Sequence, residues 1–291
     1  MPIKESELIL NPDGSVYHLN LKPENLANTI IFVGDPDRVS KITEHFDSIE
    51  FETHKREFKT QTGHYKGKRI TVISTGIGSD NIDIVLNELD ALVNINLETR
   101  EINANLVSLD IIRIGTSGSL QADIPVDSFL LSSHGMDING TLHSYQIENI
   151  SHPEIEDAFI KHSDWHQNKS RPIIIENSSS LAEKFTVGAQ KIFKGITVTA
   201  NGFYGPQGRV LRLALQDADV NNKIDTFKFK DFRITNLEME TSAIYGLSKL
   251  LGHRAVSLNA IIANRANGTF SENPEGIVNN LIQFALNKIA E

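Results

Sequence analysis

Two arginines in this chain stand where their neighbours leave them little to bond. Arg113 interrupts Asp110-Ile111-Ile112-Arg113-Ile114-Gly115, a run otherwise suited to a buried strand. A guanidinium inside a strand needs an anion beside it, because an unpaired buried charge is strongly disfavoured. That anion is either an internal carboxylate or a bound ligand. Arg38 stands one turn into a helix that opens at Gly34-Asp35-Pro36. It is either a solvated surface residue or one jaw of a phosphate grip, since a forked guanidinium matches two phosphate oxygens at once. A strand that ends in glycine at a helix N-terminus adds free N–H groups and the positive end of a dipole, which suits an anion.

Three further groups carry chemistry. Phe203-Tyr204-Gly205-Pro206-Gln207-Gly208-Arg209 combines an aromatic face, a primary amide and a guanidinium. A planar heterocycle needs that set, something to stack on and polar groups for its edge; the alternative is a turn with a surface arginine. Glu238-Met239-Glu240 places two carboxylates at the start of an amphipathic stretch, where helix capping alone would explain them. His54-Lys55-Arg56 gathers basic groups, and His18 has no evident local partner.

The elements that must position these groups alternate. Ile30-Ile31-Phe32-Val33 reads as a buried strand, followed by a helix with Asp35 as N-cap, Pro36 at its first position and Val39, Ile42 and Phe46 on one face. Residues 50–66 alternate in β fashion, and 69–75 form another buried-type strand. That strand runs through Gly76-Ile77-Gly78 into a helix with Ile82, Val85, Leu86, Leu89, Leu92 and Val93 in one stripe. Position 81 is asparagine where a dinucleotide fingerprint has its third glycine, which argues against that use. Further strands are expected at 110–119, 128–133, 194–200 and 254–263, with helices over 237–252 and from Asn273-Pro274 onward. Residues 150–185 read as helical and loop material. The pattern is that of an α/β domain whose ligands bind at the carboxyl edge of the sheet.

Composition narrows the class. At 291 residues, 40% hydrophobic and 22% charged, the chain has an ordinary globular balance and no linker or repeat that divides it. Net charge is −9, which argues against nucleic acid as a partner and requires any anion to be held by local arginines. The absence of cysteine excludes disulfides, thiolate catalysis and cysteine–zinc sites. The opening MPIKESELIL does not read as a secretory signal, and no apolar run approaches the ~20 residues of a membrane span. A cytoplasmic location with no membrane partner is therefore expected.

Taken together, GDPDRV (34–39), KREF (55–58), STGIG (74–78), RIGTSG (113–118), FYGPQGR (203–209) and LEMET (237–241) resemble the uridine phosphorylase branch of the nucleoside phosphorylase family. The match keeps its order from about His18 to Arg265. The resemblance implies a three-layer α/β/α fold with a mixed, partly barrel-like central sheet. It implies one domain over residues 1–291, with 1–28 as an arm reaching a neighbouring subunit, and dimers or hexamers with shared active sites. It places phosphate on Gly34, Arg38, Arg113 and Thr116, with Arg56 contributed by the adjacent subunit. Ribose falls to Thr116, Glu238, Met239 and Glu240, with His18 from the neighbour at the 5′-hydroxyl. The base falls to Gly118, Phe203, Gln207 and Arg209, supported by Ile262 and Arg265. Arg209, Gln207, Arg113 and Glu240 carry the catalytic weight.

The implied reaction is reversible phosphorolysis of uridine to uracil and ribose 1-phosphate, with inorganic phosphate as co-substrate and no required cofactor. Deoxyuridine and thymidine stay open as substrates. Relatives that act on purines carry a Ser-Asp pair after the last strand, where this chain reads Ala263-Asn264-Arg265. Purine phosphorolysis, nucleoside hydrolysis and non-catalytic nucleoside binding are the competing readings. Some members hold a monovalent cation at the dimer interface. Glu57 and Ile77 match two of its ligands, while Asn81 replaces the usual serine, which leaves a potassium site open.

Overall fold

Strands and helices alternate through the computed structural model, which describes residues 2–188 and 191–291. β1 (Thr29–Val33) leads into α1 (Pro36–Thr43); β2 (Ser48–Lys55), β3 (Phe58–Tyr65) and β4 (Lys68–Ser74) precede α2 (Ser79–Asn94). The short strands β5 (Ile95–Asn96) and β6 (Glu101–Ile102) pair with each other before β7 (Asp110–Ser119) and β8 (Phe129–Asp137). Then come α3 (Pro153–Ser163), β9 (Ile173–Glu176), α4 (Ser179–Thr186), β10 (Ile192–Thr199) and α5 (Val220–Asp225). β11 (Lys228–Phe229), β12 (Phe232–Glu238), α6 (Thr241–Leu250), β13 (Arg254–Asn264), β14 (Thr269–Phe270) and α7 (Pro274–Ala290) complete the order.

One mixed sheet runs β11-β12-β10-β8-β13-β7-β1-β4-β3-β2, with β9 added on β8 and β14 on β13. A further antiparallel pairing sets Asn236 of β12 opposite Ser119 of β7, and Leu237 opposite Gly118. It closes β7, β13, β8, β10 and β12 into a ring, so the sheet is barrel-like at one end and open at the other. Helices α2 and α6 cover one face and α1, α4 and α7 the other, which gives the expected α/β/α layers. Because both faces are covered, successive side chains of one strand all find apolar partners. Ile30 and Phe32 join the α2/α6 core, while Ile31 and Val33 join the α1/α4/α7 core. The same period-two rule sets β7: Ile112 and Ile114 face α7, and Ile111 faces α6, so Arg113 and Gly115 lie on the α6 side. No helix among the described residues is long and apolar enough to cross a membrane.

Several local expectations change. The helix expected over 237–252 starts at Thr241, because β12 continues to Glu238 and pairs with β10 through Thr199 opposite Glu238. Met239 therefore sits in the strand-to-helix turn rather than on an inward helical face. The segment 150–185 contains the edge strand β9, a run of four residues whose pairing with β8 a local pattern does not reveal. α1 stops at Thr43, leaving Phe46 in the following turn. Val16, Leu19, Leu21 and Leu26 are buried in the chain's own α2/α6 core. Within the N-terminal segment His18 does have a partner: Nδ1 lies 2.6 Å from Glu88 Oε1, and the same carboxylate accepts the backbone N–H groups of His18 and Leu19.

Close approach of α6 to the sheet fixes where the site's carboxylates arrive. At Gly135 on β8, a Cβ would fall 2.7 Å from Ser242 Cα and 2.9 Å from its backbone nitrogen, neither of which can swing aside. Gly135→Ala should lower stability by about 1–3 kcal/mol, the usual cost of overpacking, read as a lower urea midpoint at unchanged m.

Candidate active site

β12 runs antiparallel to β7, so the chain leaving Leu237 travels back over Ser117, Thr116 and Arg113. That brings Glu238 and Glu240 onto one guanidinium. Arg113 Nη2 lies 2.6 Å from Glu240 Oε2 and 3.1 Å from Glu238 Oε2, and Nη1 donates to Asn259 Oδ1 of neighbouring β13 at 3.0 Å. All three ionic side chains are buried. Burial works against the Arg113 charge, but the two carboxylates outweigh it and hold the guanidinium more firmly protonated than usual. Burial, the largest influence, raises the Glu240 carboxyl above its ordinary value against the pull of Arg113. Glu238 also accepts the N–H groups of Glu240 and Thr241, so it caps α6 while pairing with the arginine. Glu240 accepts the N–H of Gly78, which ties the start of α2 to the same cluster at 2.9 Å. The guanidinium folds back over Gly115, where a Cβ would stand 2.1 Å from Nη1. An internal-carboxylate partner for Arg113 is thus what the structure contains.

Arg38 differs. It is half-buried, and among the described residues its side chain makes no ion pair and no hydrogen bond. Burial first, and Arg113 second, lower its pKa against Asp35 and Glu240, although a guanidinium stays charged at any physiological pH. The helix beneath it offers fewer N–H groups than its sequence suggests. Asp35 takes the N–H of Asp37, and Pro36 has none to give. Anion affinity at this corner therefore rests on Arg38 more than on the helix terminus.

At the opposite end the 203–209 loop builds a second cationic patch. The Arg209 guanidinium stacks 3.9 Å over the Phe203 ring and donates to Phe203 O and Gln207 Oε1. Arg265, at the end of β13, donates to the backbone oxygen of buried Gln207 at 2.8 Å. Neither arginine has a carboxylate within ion-pairing distance among the described residues. Burial lowers the pKa of both, and for Arg265 the Arg209 charge lowers it further.

These groups share one cavity of about 1030 Å³. Gly34, Arg38, Arg113, Thr116, Gly118, Phe203, Gln207, Arg209, Glu238, Met239, Glu240, Ile262 and Arg265 all line it, as do Glu57, Ile77 and Asn81. His18 and Arg56 do not; Arg56 is exposed at the β2–β3 turn with φ 55°. Sequence reasoning missed Asn259, a partner of Arg113, the part Gly115 plays as the seat of that guanidinium, and also Thr269 and Phe270, which line the rim from β14. The Asn267-Gly268 pair before β14 is a hairpin signal that could have placed those rim residues. Nothing local marks Asn259, which meets Arg113 only because β13 pairs with β7.

A family model described as the phosphorylase superfamily matches residues 28–289. A uridine phosphorylase of Thermococcus kodakarensis is 30% identical over 260 residues, covering 89% of this chain and 81% of that protein. A DeoD-type purine nucleoside phosphorylase of Levilactobacillus brevis is 26% identical over 278 residues, covering 94% and 98%. Among solved structures, a Trypanosoma brucei nucleoside phosphorylase reported to show uridine phosphorylase activity superposes with a TM-score of 0.87 at 28% identity, covering 97% of this chain and 98% of that one.

The buried ion cluster sets a stability test. Arg113→Met leaves two carboxylates buried without their cation and should cost about 3–5 kcal/mol in denaturant unfolding. Adding Glu240→Gln to that variant should recover part of the loss, because one of the stranded charges is then removed.

Proposed function

The chain belongs to the phosphorylase superfamily and is a nucleoside phosphorylase by its relatives, and from that premise we propose that it catalyses the reversible phosphorolysis of uridine. The observation that carries this reading is the charge pattern of the cavity. In a chain of net charge −9, the arginines at its two ends have no carboxylate partners among the described residues, while the middle is neutralised by Glu238 and Glu240 around Arg113. Such a cavity suits an anion entering at Arg38, a polyhydroxylated sugar at the centre and an anion forming at Arg209.

In the proposed reaction a phosphate oxygen attacks C1′ of the nucleoside. The C1′–N1 bond breaks, its electron pair leaves with uracil, and ribose 1-phosphate forms. Arg38 and Arg113 place the phosphate beside C1′, lowering the entropic part of the barrier. Thr116 and Glu240 hold the sugar, Glu240 accepting from its hydroxyls as a carboxylate. Arg209 and Gln207 oppose the negative charge that gathers on the departing ring, in the manner of an oxyanion hole. Phe203 supplies the stacking surface.

Base choice rests on position 264. A purine leaving group is helped by an acid near N7, and the residue here is Asn264, whose amide is spent on the backbone oxygens of Gln121 and Ile124 at 2.9 and 2.8 Å. The carboxyl of Asp225 acts on Arg265 through space, but it does not line the cavity. Purine cleavage is therefore the second reading, and the purine-cleaving relative keeps it in the test.

Two groups extend the proposal beyond one subunit. His18 and Arg56 lie off this chain's cavity, which supports their delivery to a second copy in a dimer or hexamer with shared sites. Glu57, Ile77 and Asn81 bring a carboxylate, a backbone carbonyl and an amide around Gly76. A Cβ there would meet Asn81 Nδ2 at 2.5 Å and Glu57 Cγ at 3.0 Å, so the glycine lets them approach. Such oxygen donors suit a hard cation such as potassium, which would brace the β4–α2 corner.

The uridine-to-uracil absorbance change, followed with and without phosphate, tests the reading. Uracil should form only with phosphate, together with ribose 1-phosphate. Arg209→Ala should lower kcat by about 10²–10³. Arg38→Ala should raise the KM for phosphate roughly 10–100-fold, the loss of a charged hydrogen bond worth about 1.5–3 kcal/mol. Turnover independent of phosphate, or confined to inosine, would sink the proposal.

A further inference from the structure

A second cluster of chemically capable side chains lies apart from this cavity, at the edge of the sheet where β9 meets β8. His134 of β8 stands directly opposite Glu176 of β9 in the antiparallel register, so both side chains rise from the same face. His152, at the N-cap of α3, comes in beside them: the His134 and His152 rings sit edge to face with centroids 5.3 Å apart. One potential ligand atom from each of the three lies within 4.8 Å of the other two. Zinc bonds to histidine nitrogen and carboxylate oxygen run about 2.0–2.2 Å, so two donors on a tetrahedral ion stand about 3.3–3.6 Å apart. Sub-ångström side-chain movement would bring all three onto a single ion.

We propose that His134, His152 and Glu176 bind a divalent transition-metal ion of the zinc class, two imidazoles and a carboxylate completing three positions and water the fourth.

A separate observation points the same way. Nε2 of His152 is buried and has no hydrogen-bond partner among the described residues. A buried polar atom left unpaired is costly, and a metal ion would satisfy it. The backbone around the histidine is fixed before any ion arrives. Ser151 bridges to Ile175 of β9, and the buried Glu156 carboxylate accepts the N–H groups of His152 at 3.2 Å and Ile174 at 3.0 Å. Phe232 packs edge-on against His134, with ring centroids 5.0 Å apart, and limits where that ring can turn. Two nitrogens and one oxygen select zinc, cobalt, nickel or copper over calcium and magnesium, which prefer oxygen throughout.

The open side faces Glu176, an exposed residue beside a small cleft of about 230 Å³. Lys249 occupies part of that side, its Nζ 2.8 Å from Glu176 Oε1. The ammonium supplies positive charge to the carboxylate and competes with a metal for it. A bound ion would fasten α3, β8 and β9 together, which is structural work apart from the nucleoside cavity.

The test uses the full chain freed of metal by a chelator and dialysed. Zinc titrated calorimetrically should bind one ion per chain with micromolar or tighter affinity, and cobalt(II) should develop the visible absorption of a low-coordinate nitrogen–oxygen site. His152→Ala and Glu176→Gln should each weaken binding at least 10-fold, since losing a ligand costs no less than losing its outer-shell support. Lys249→Met should strengthen binding, because its ammonium no longer competes. Glu176 and Lys249 are exposed surface positions, so these two variants test the site even where His134→Ala fails to fold. No cobalt absorption, or absorption and zinc affinity unchanged in His152→Ala, overturns the proposal, the second outcome by placing the ion on other histidines.

Discussion

The rest of the site depends on one buried guanidinium. Moving Arg113 and two carboxylates out of water costs several kcal/mol per ion, and only short contacts with correct geometry repay it. This requirement reaches far beyond one strand. It fixes the exit of β12, whose Glu238 must both meet Arg113 and cap α6, and it fixes the start of α2, whose Gly78 N–H bonds Glu240. It also explains glycine at 115, where any side chain would enter the space of the guanidinium. Pairs that cost so much to bury contribute modestly to net stability, but they fix position, and a catalytic centre needs positions held.

Around that neutralised centre the cationic groups have no carboxylate partners among the described residues. Among the described residues Arg38 has no anion of its own, and Arg209 and Arg265 donate only to carbonyl and amide oxygens. Their charge is therefore available to a ligand. In a protein of net negative charge this concentrates attraction for anions inside the cleft while its surface as a whole repels them. The stacked Phe203–Arg209 pair joins a flat aromatic surface to a positive charge at one end of the cavity.

Sheet closure gives the cavity its shape. Without the β12–β7 pairing the two carboxylates would lie along an open sheet, too far from Arg113 to neutralise it. With it, the ends of β1, β4, β7, β12 and β13 open into one space, and the 203–209 loop closes its far side. β9 is added to β8 outside that ring, and the His134–His152–Glu176 cluster sits at this junction, apart from the cavity.

Much of this was legible in the residues alone. Apolar runs such as Ile30–Val33 and the stripe from Ile82 to Val93 announced their elements, because strand and helix periods are local properties. Asp35 and Pro36 marked the start of α1, and an arginine inside β7 declared that an anion had to be near. The order of the motifs indicated a family and, through it, a set of site residues of which all but His18 and Arg56 line the cavity. What the sequence left open was which anion Arg113 meets, since internal carboxylate and ligand make the same demand on its flanking residues. Only the antiparallel return of β12 decided that. Tertiary pairing likewise made Glu238 the end of a strand, turned Ile173–Glu176 into an edge strand and gave His18 its Glu88 partner, seventy residues along the chain. Local pattern records what a residue needs, whereas contacts between distant segments decide which residue supplies it.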